Sequence, residues 1–185
     1  MLMNNSDKTK KIAVIYKSHY GTTKNYAEWI AETLEASLFE NSDIKADQLL
    51  DYDVIVYGGG LYAGGIAGSK LVAKNPCNTL VVFTVGLANP GITDYNNILN
   101  KNFTKEGLDK IKVFHLRGGI DYSKLGFIHK TMMWAMKKET EKLPIDKRTA
   151  DDHLLLETYG DKLDFTNRQT IKPLIEYIKK LVYQP

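Results

Sequence analysis

Short apolar runs and amphipathic stretches follow one another along this 185-residue chain in a regular order. Ile12–Tyr16 is a nearly continuous apolar run, as expected of a central strand buried on both faces. Tyr26, Ala27, Ile30, Leu34 and Leu38 then recur at spacings of three and four, predicting a helix with one apolar stripe. A weak second strand is expected around Ile44-Lys45-Ala46, and a third over Val54–Tyr57 that breaks off into a loop at Gly58-Gly59-Gly60. A short helix over Ala67–Lys74 precedes a fourth strand, Thr79–Thr84, that stops at Gly86. Tyr95, Ile98, Leu99 and Phe103 fit a helical face, Lys112–Leu116 reads as a fifth strand, and Ile171–Val182 as a last helix with Thr170 as its cap. This order is that of strand-helix-strand units and a parallel sheet covered on both faces, so the class is α/β. At this length and 43% hydrophobic content one core, and one domain over residues 1–185, is expected.

Open α/β sheets bind ligands beyond the carboxyl ends of their strands, where the strand order reverses. Three candidate loops fall there. The first, Ser18-His19-Tyr20-Gly21-Thr22-Thr23, leads from the first strand straight into a helix, so backbone N–H groups and three hydroxyls can converge on one anion near a positive helix end. Gly21 permits a backbone conformation closed to other residues, and Thr22 or Thr23 is placed to cap the helix as well as to donate to phosphate. A plain capped turn is the alternative for such a loop. Other phosphate readers lack their residues: there is no Gly-Lys-Ser/Thr ending, no Gly-x-Gly-x-x-Gly after the first strand and no Cys-x5-Arg, and Tyr57-Gly58 stands where a receiver domain needs an aspartate.

Taken together, Ile12–Leu38 with its Ser/Thr-x-x-Gly-Thr-Thr loop, Asp53–Gly60 and Thr84–Pro90 resemble the flavodoxin-like proteins. Among these the likeness is to the flavodoxin-type, menaquinone-dependent protoporphyrinogen oxidases and their uncharacterised relatives. The resemblance implies a flavodoxin-like three-layer sandwich with a five-stranded parallel sheet of order 2-1-3-4-5, and FMN as cofactor. It also implies that Ser18, Gly21, Thr22 and Thr23 hold the phosphate, assisted by the N–H groups of His19 and Tyr20. Gly58, Gly59, Gly60, Leu61 and Tyr62 would border one side of the isoalloxazine, with Tyr62 stacked on it, and Val85, Gly86, Leu87, Ala88 and Asn89 the other. The Asp/Tyr-bearing form of the second ring loop usual in flavodoxin carriers is missing.

Between the fifth strand and the last helix lies an insertion of about 118–166, too long for an unstructured loop. A helix is predicted over Phe127–Lys142, with Phe127, Ile128, Thr131, Met132, Trp134, Ala135 and Met136 forming an apolar surface ringed by lysines. By resemblance the insertion is a lid near the flavin edge, a candidate for contact with a quinone, a membrane surface or a partner protein through residues 118–148. The simpler expectation is that this face packs against the domain itself. Residues 1–100 carry 8 basic and 10 acidic residues and residues 101–185 carry 17 and 12, so the basic excess lies in the second half, without the aromatic-interleaved density of a nucleic-acid binder.

No apolar run is long enough to cross a bilayer, and polar Met1–Lys11 does not read as a secretory signal, so a cytoplasmic location is expected. Cys77 reads as a partly buried, unreactive thiol. The four histidines have no metal-ligand spacing and there is no Gly-x-Ser-x-Gly elbow, so neither a metal nor a catalytic side chain is expected. Three functions stand open: an FMN-dependent oxidoreductase acting on a protoporphyrinogen-like substrate with a quinone or other acceptor, an electron carrier serving a protein partner, and a non-redox interaction protein.

Overall fold

The computed structural model describes residues 10–62 and 64–183, so most of the Met1–Lys11 stretch lies outside the described residues. The chain order is β1 Ile12–Lys17, α1 Thr22–Leu34, β2 Ser37–Glu40, β3 Val54–Tyr62, β4 Gly65–Ile66, α2 Lys70–Ala73 and β5 Leu80–Gly86. It continues with α3 Asn96–Asn102, α4 Lys105–Leu108, β6 Lys112–Arg117, β7 Gly119–Asp121, α5 Phe127–Lys142, α6 Ala150–Glu157, β8 Lys162–Asp164 and α7 Lys172–Tyr183. The main sheet runs β2-β1-β3-β5-β6 with every pairing parallel, which is the expected 2-1-3-4-5 order once β4, a short antiparallel partner of β3, is set aside.

Alternation along the strands splits the core in two. Val14, Tyr16, Val56, Val81 and Phe83 pack on one face against Tyr26, Ile30, Leu174 and Ile178 of α1 and α7. Ala13, Ile15, Ile55, Tyr57 and Val82 face the other way, toward Val72 of α2 and the flank of α3 and α4. The result is a three-layer sandwich whose central strands are closed to water on both sides, as their unbroken apolar runs require.

Three expectations need correction. The second strand is Ser37–Glu40, not Ile44–Ala46: α1 stops at Leu34 because Glu35 turns into the left-handed region (φ 52), and Leu38 leaves the helix stripe for the sheet edge. Ile44 is a buried core residue outside any strand, followed by a 3-10 turn over Ala46–Asp51. The third strand does not break at its glycines but runs through them to Tyr62, with Gly59 registered between Lys17 and Thr84. The last helix begins after a 3-10 turn, Arg168–Ile171, capped by the Asn167 side chain in place of Thr170.

The insertion carries its own small core. β7 and β8 pair antiparallel, and Ile120, Tyr122, Leu125 and Met133 are buried together with Tyr20, Leu87, Leu155 and Tyr159 packed around them. The predicted helix is there, as α5, but it turns a different face inward. Met133 and Thr140 are buried while Phe127, Ile128 and Trp134 stand in solvent, so the apolar surface is not spent on internal packing.

Candidate functional site

At the end of β1 the Ser18 Oγ accepts the Gly21 N–H at 3.0 Å, closing a tight turn that delivers the chain into α1. Gly21 sits at φ +95 as the N-terminal cap residue, a conformation strained for any residue with a Cβ, and no side chain caps the helix. The anticipated capping by Thr22 or Thr23 does not occur. The N–H groups of the first turn therefore keep their free ends, with the partly exposed Thr22 beside them and Thr23 buried beneath. Neither neighbouring lysine is committed to this spot: Lys17 pairs with Glu40 at 3.1 Å and Lys24 lies 3.8 Å from Glu28.

Above this turn opens an apolar chamber of about 530 Å³, within the range of small-molecule and cofactor sites. Tyr20 and Thr22 from the first loop, Leu61 and Tyr62 from the end of β3, and Val85, Gly86, Leu87 and Ala88 from the end of β5 line it. The remaining predicted residues are placed differently. Gly58 and Gly59 lie inside the sheet, where Phe83 and Ile66 already occupy the space a Cβ would need, so they are strand residues and do not border the chamber. Gly60 backs onto the buried Thr23 hydroxyl. Asn89 shapes its own turn, its side chain accepting the Gly91 N–H at 3.1 Å.

The chamber is completed by residues outside the three predicted loops. Tyr95 and Ile98 close one end, and the insertion supplies Gly118, Gly119, Ile120, Leu125, His129, Met132, Met133 and Met136. Gly118-Gly119 carried a readable signal, a glycine pair at the carboxyl end of a parallel strand. His129 did not, because the sequence does not show which face of the predicted helix turns toward the chamber. His129 joins the insertion to both older loops: its Nδ1 hydrogen-bonds the Tyr20 hydroxyl, and its ring stacks on Tyr62 at 5.3 Å. His19 meets Tyr62 edge-on at 4.7 Å. Burial, followed by the nearby His129 and Lys17 charges, holds His19 below the usual histidine range, and burial with Tyr20 close by pushes Tyr62 up to about 12. Both side chains are thus neutral at physiological pH, Tyr62 as a wall of the chamber and His19 behind it against the Tyr62 ring.

The second loop is clamped from two sides. Arg117 donates from Nε to the Leu87 carbonyl at 2.9 Å, and Asp151 of α6 accepts the Asn89 N–H at 3.1 Å while its other oxygen lies 3.5 Å from the Arg117 guanidinium. A second hollow of about 820 Å³ opens at the amino-terminal edge of the sheet, lined by Lys10, Lys11, Glu35 and Asp51 among others. It lies away from every strand-end loop. Among the described residues no cluster of His, Cys, Asp and Glu is arranged to hold a metal.

The flavodoxin domain family matches residues 13–145, well over half of the chain. The chain belongs to the flavodoxin domain family. Among solved structures it is similar to a flavodoxin from the domain Archaea (22% identity, TM-score 0.43, covering 58% of this chain and 82% of that one). It is also similar to oxidised flavodoxin 2 from Bacillus cereus (21%, 0.43, 58% and 85%) and to a flavoprotein in complex with FMN from Lactobacillus acidophilus NCFM (19%, 0.38, 58% and 92%). No curated protein matches. Family membership supports FMN as the cofactor of this flavodoxin domain, and the residues present fit it. An uncapped helix end beside the Thr22 hydroxyl suits a phosphate, and the adjoining apolar chamber suits a flat aromatic ring.

Proposed function

We propose that this chain is an FMN-dependent oxidoreductase that moves electrons from a reduced substrate, protoporphyrinogen-like by resemblance, to a quinone or other acceptor. The observation that carries this reading beyond a bare carrier is the roof of the chamber, where Leu125, Met132, Met133 and Met136 of the insertion cover the strand ends that a flavin ring would occupy. A carrier that only touches partner proteins needs its flavin edge open; a substrate enzyme gains from an enclosed apolar space.

The Thr22 hydroxyl, with the free N–H groups at the start of α1, would hold the phosphate, Thr23 would back the turn from beneath, and Leu61, Tyr62 and Val85–Ala88 would flank the ring. Bound FMN supplies the redox chemistry. The chain's own contribution is orientation and exclusion. Neutral dipoles in place of a cation leave the phosphate charged, which disfavours further negative charge close by. The Tyr20–His129 hydrogen bond fixes the roof to the phosphate loop, so occupancy of one bears on the position of the other. Flexible methionines let the roof fit a large planar apolar molecule without a shape of its own.

The test is anaerobic. The full chain is reconstituted with FMN and turnover of protoporphyrinogen is followed with a quinone as acceptor. Turnover is expected, and the T22V/T23V variant is expected to bind FMN at least about tenfold more weakly while melting as a folded protein. Bound FMN with rapid one-electron exchange and no turnover assigns the chain to the carriers instead. Absence of FMN binding at micromolar concentration removes both redox readings.

A further inference from the structure

The outer face of α5 is apolar, aromatic and unused by the fold. Phe127 is 86% exposed, Ile128 78% and Trp134 54%, and Ile145, in the turn after the helix, is 73% exposed. Helical spacing places Phe127, Thr131, Trp134 and Lys138 along one line, opposite the buried Met133 and Thr140. The inward face is occupied and pinned by the His129–Tyr20 hydrogen bond, so these side chains have no route back into the core.

Along α5 and the turn after it the charge is mostly positive. From Lys124 to Arg148 the sequence has seven basic residues against three acidic ones. The pairs of Lys137 and Lys138 with Glu141, and of Lys142 with Glu139, leave this excess intact. We propose that the outer face of α5 and the turn after it rest on a bilayer surface that contains anionic lipid. Aromatic and aliphatic side chains on one face with lysines beside them are what a helix lying in the headgroup region presents. At 16 residues α5 is about 24 Å long, and no helix among the described residues is long and apolar enough to cross a membrane, so it lies on the bilayer and does not span it. A second copy of the chain is a poorer occupant, since each would bring the same positive excess to the interface. The docking stands on the exposed face alone and does not depend on which reaction the chamber serves.

The full FMN-loaded chain is floated with phosphatidylcholine vesicles, with and without phosphatidylglycerol. Binding is expected to the anionic vesicles, to weaken as salt is raised, and to fall by roughly tenfold or more in F127S/I128S/W134S. The triple variant is expected to melt as the parent does, because the three side chains are exposed. In a W29F chain the remaining tryptophan, Trp134, should shift its emission to shorter wavelength on anionic vesicles and be quenched by brominated lipid. No binding to either vesicle overturns the proposal, as does binding that the triple substitution leaves unchanged. Self-association in solution that the triple substitution abolishes assigns the face to a second copy and likewise overturns it. All of these readouts are independent of turnover.

Discussion

At the scale of single residues, two positions in the sheet constrain the site from beneath. Gly58 stands in the centre of the sheet, registered between Tyr16 and Phe83, and a Cβ there would lie 2.1 Å from the Phe83 ring. Gly58→Ala is expected to destabilise the fold by about 1–3 kcal/mol through overpacking, read by denaturant unfolding, and Phe83→Leu in the same chain should recover part of it. His115 on β6 stacks on Tyr95 at 3.6 Å and shares a 2.6 Å hydrogen bond with buried Thr84. Burial pushes its pKa down to about 4 from the ordinary 6.5. The unfolded chain therefore binds the extra proton first. The stability this ring contributes is full above about pH 6.5, drains away as pH falls toward about 4, and amounts to about 1–2 kcal/mol with solvent screening at the half-exposed ring included. Melting of the parent against His115→Phe across that interval checks the sign: the parent should lose stability faster as the solution is acidified.

At the scale of elements, the clamp on the second loop is the part most open to manipulation. Asp151→Ala removes the acceptor of the Asn89 N–H and the partner of Arg117, while Arg117 keeps its bond to the Leu87 carbonyl. Expected are faster amide exchange over residues 87–91, several-fold weaker FMN binding and a loss of only about 1 kcal/mol in global stability, measured side by side. β1, β5, β6 and the bounds of α5 were legible in the sequence, from apolar runs and helical period. The edge strand β2 was not, because Ser37 and Leu38 are exposed and carry no alternation, while α1 ends at a glutamate in the left-handed region where glycine or asparagine is the usual sign. The glycines of β3 read as a loop for a related reason. Only Phe83, brought alongside by the parallel pairing, fills the space beside Gly58, and nothing local to the glycines announces it.

At the scale of the whole molecule, the rule that ligands gather at the carboxyl ends of parallel strands points to the 18–23 loop, the end of β3 and the loop after β5, all of which contribute to one chamber. What it left out was the roof. His129, Met132, Met133 and Met136 are more than 60 residues from Tyr62 in sequence and meet it only because the insertion folds back over the sheet. The basic excess of the second half lies outside the insertion, since residues 118–166 carry 8 basic and 9 acidic residues. That insertion also leaves and rejoins the sandwich at one point: Gly119 pairs with Asp164, and Phe165 donates its N–H to the Gly118 carbonyl at 3.1 Å. A segment whose two ends are neighbours adds no reach and no strain to the parent fold, whatever its length. Its sequence is free to lengthen, shorten or be exchanged over generations while the sheet below stays the same, and descent within the family can alter the chemistry served by one end of the molecule without rebuilding the other.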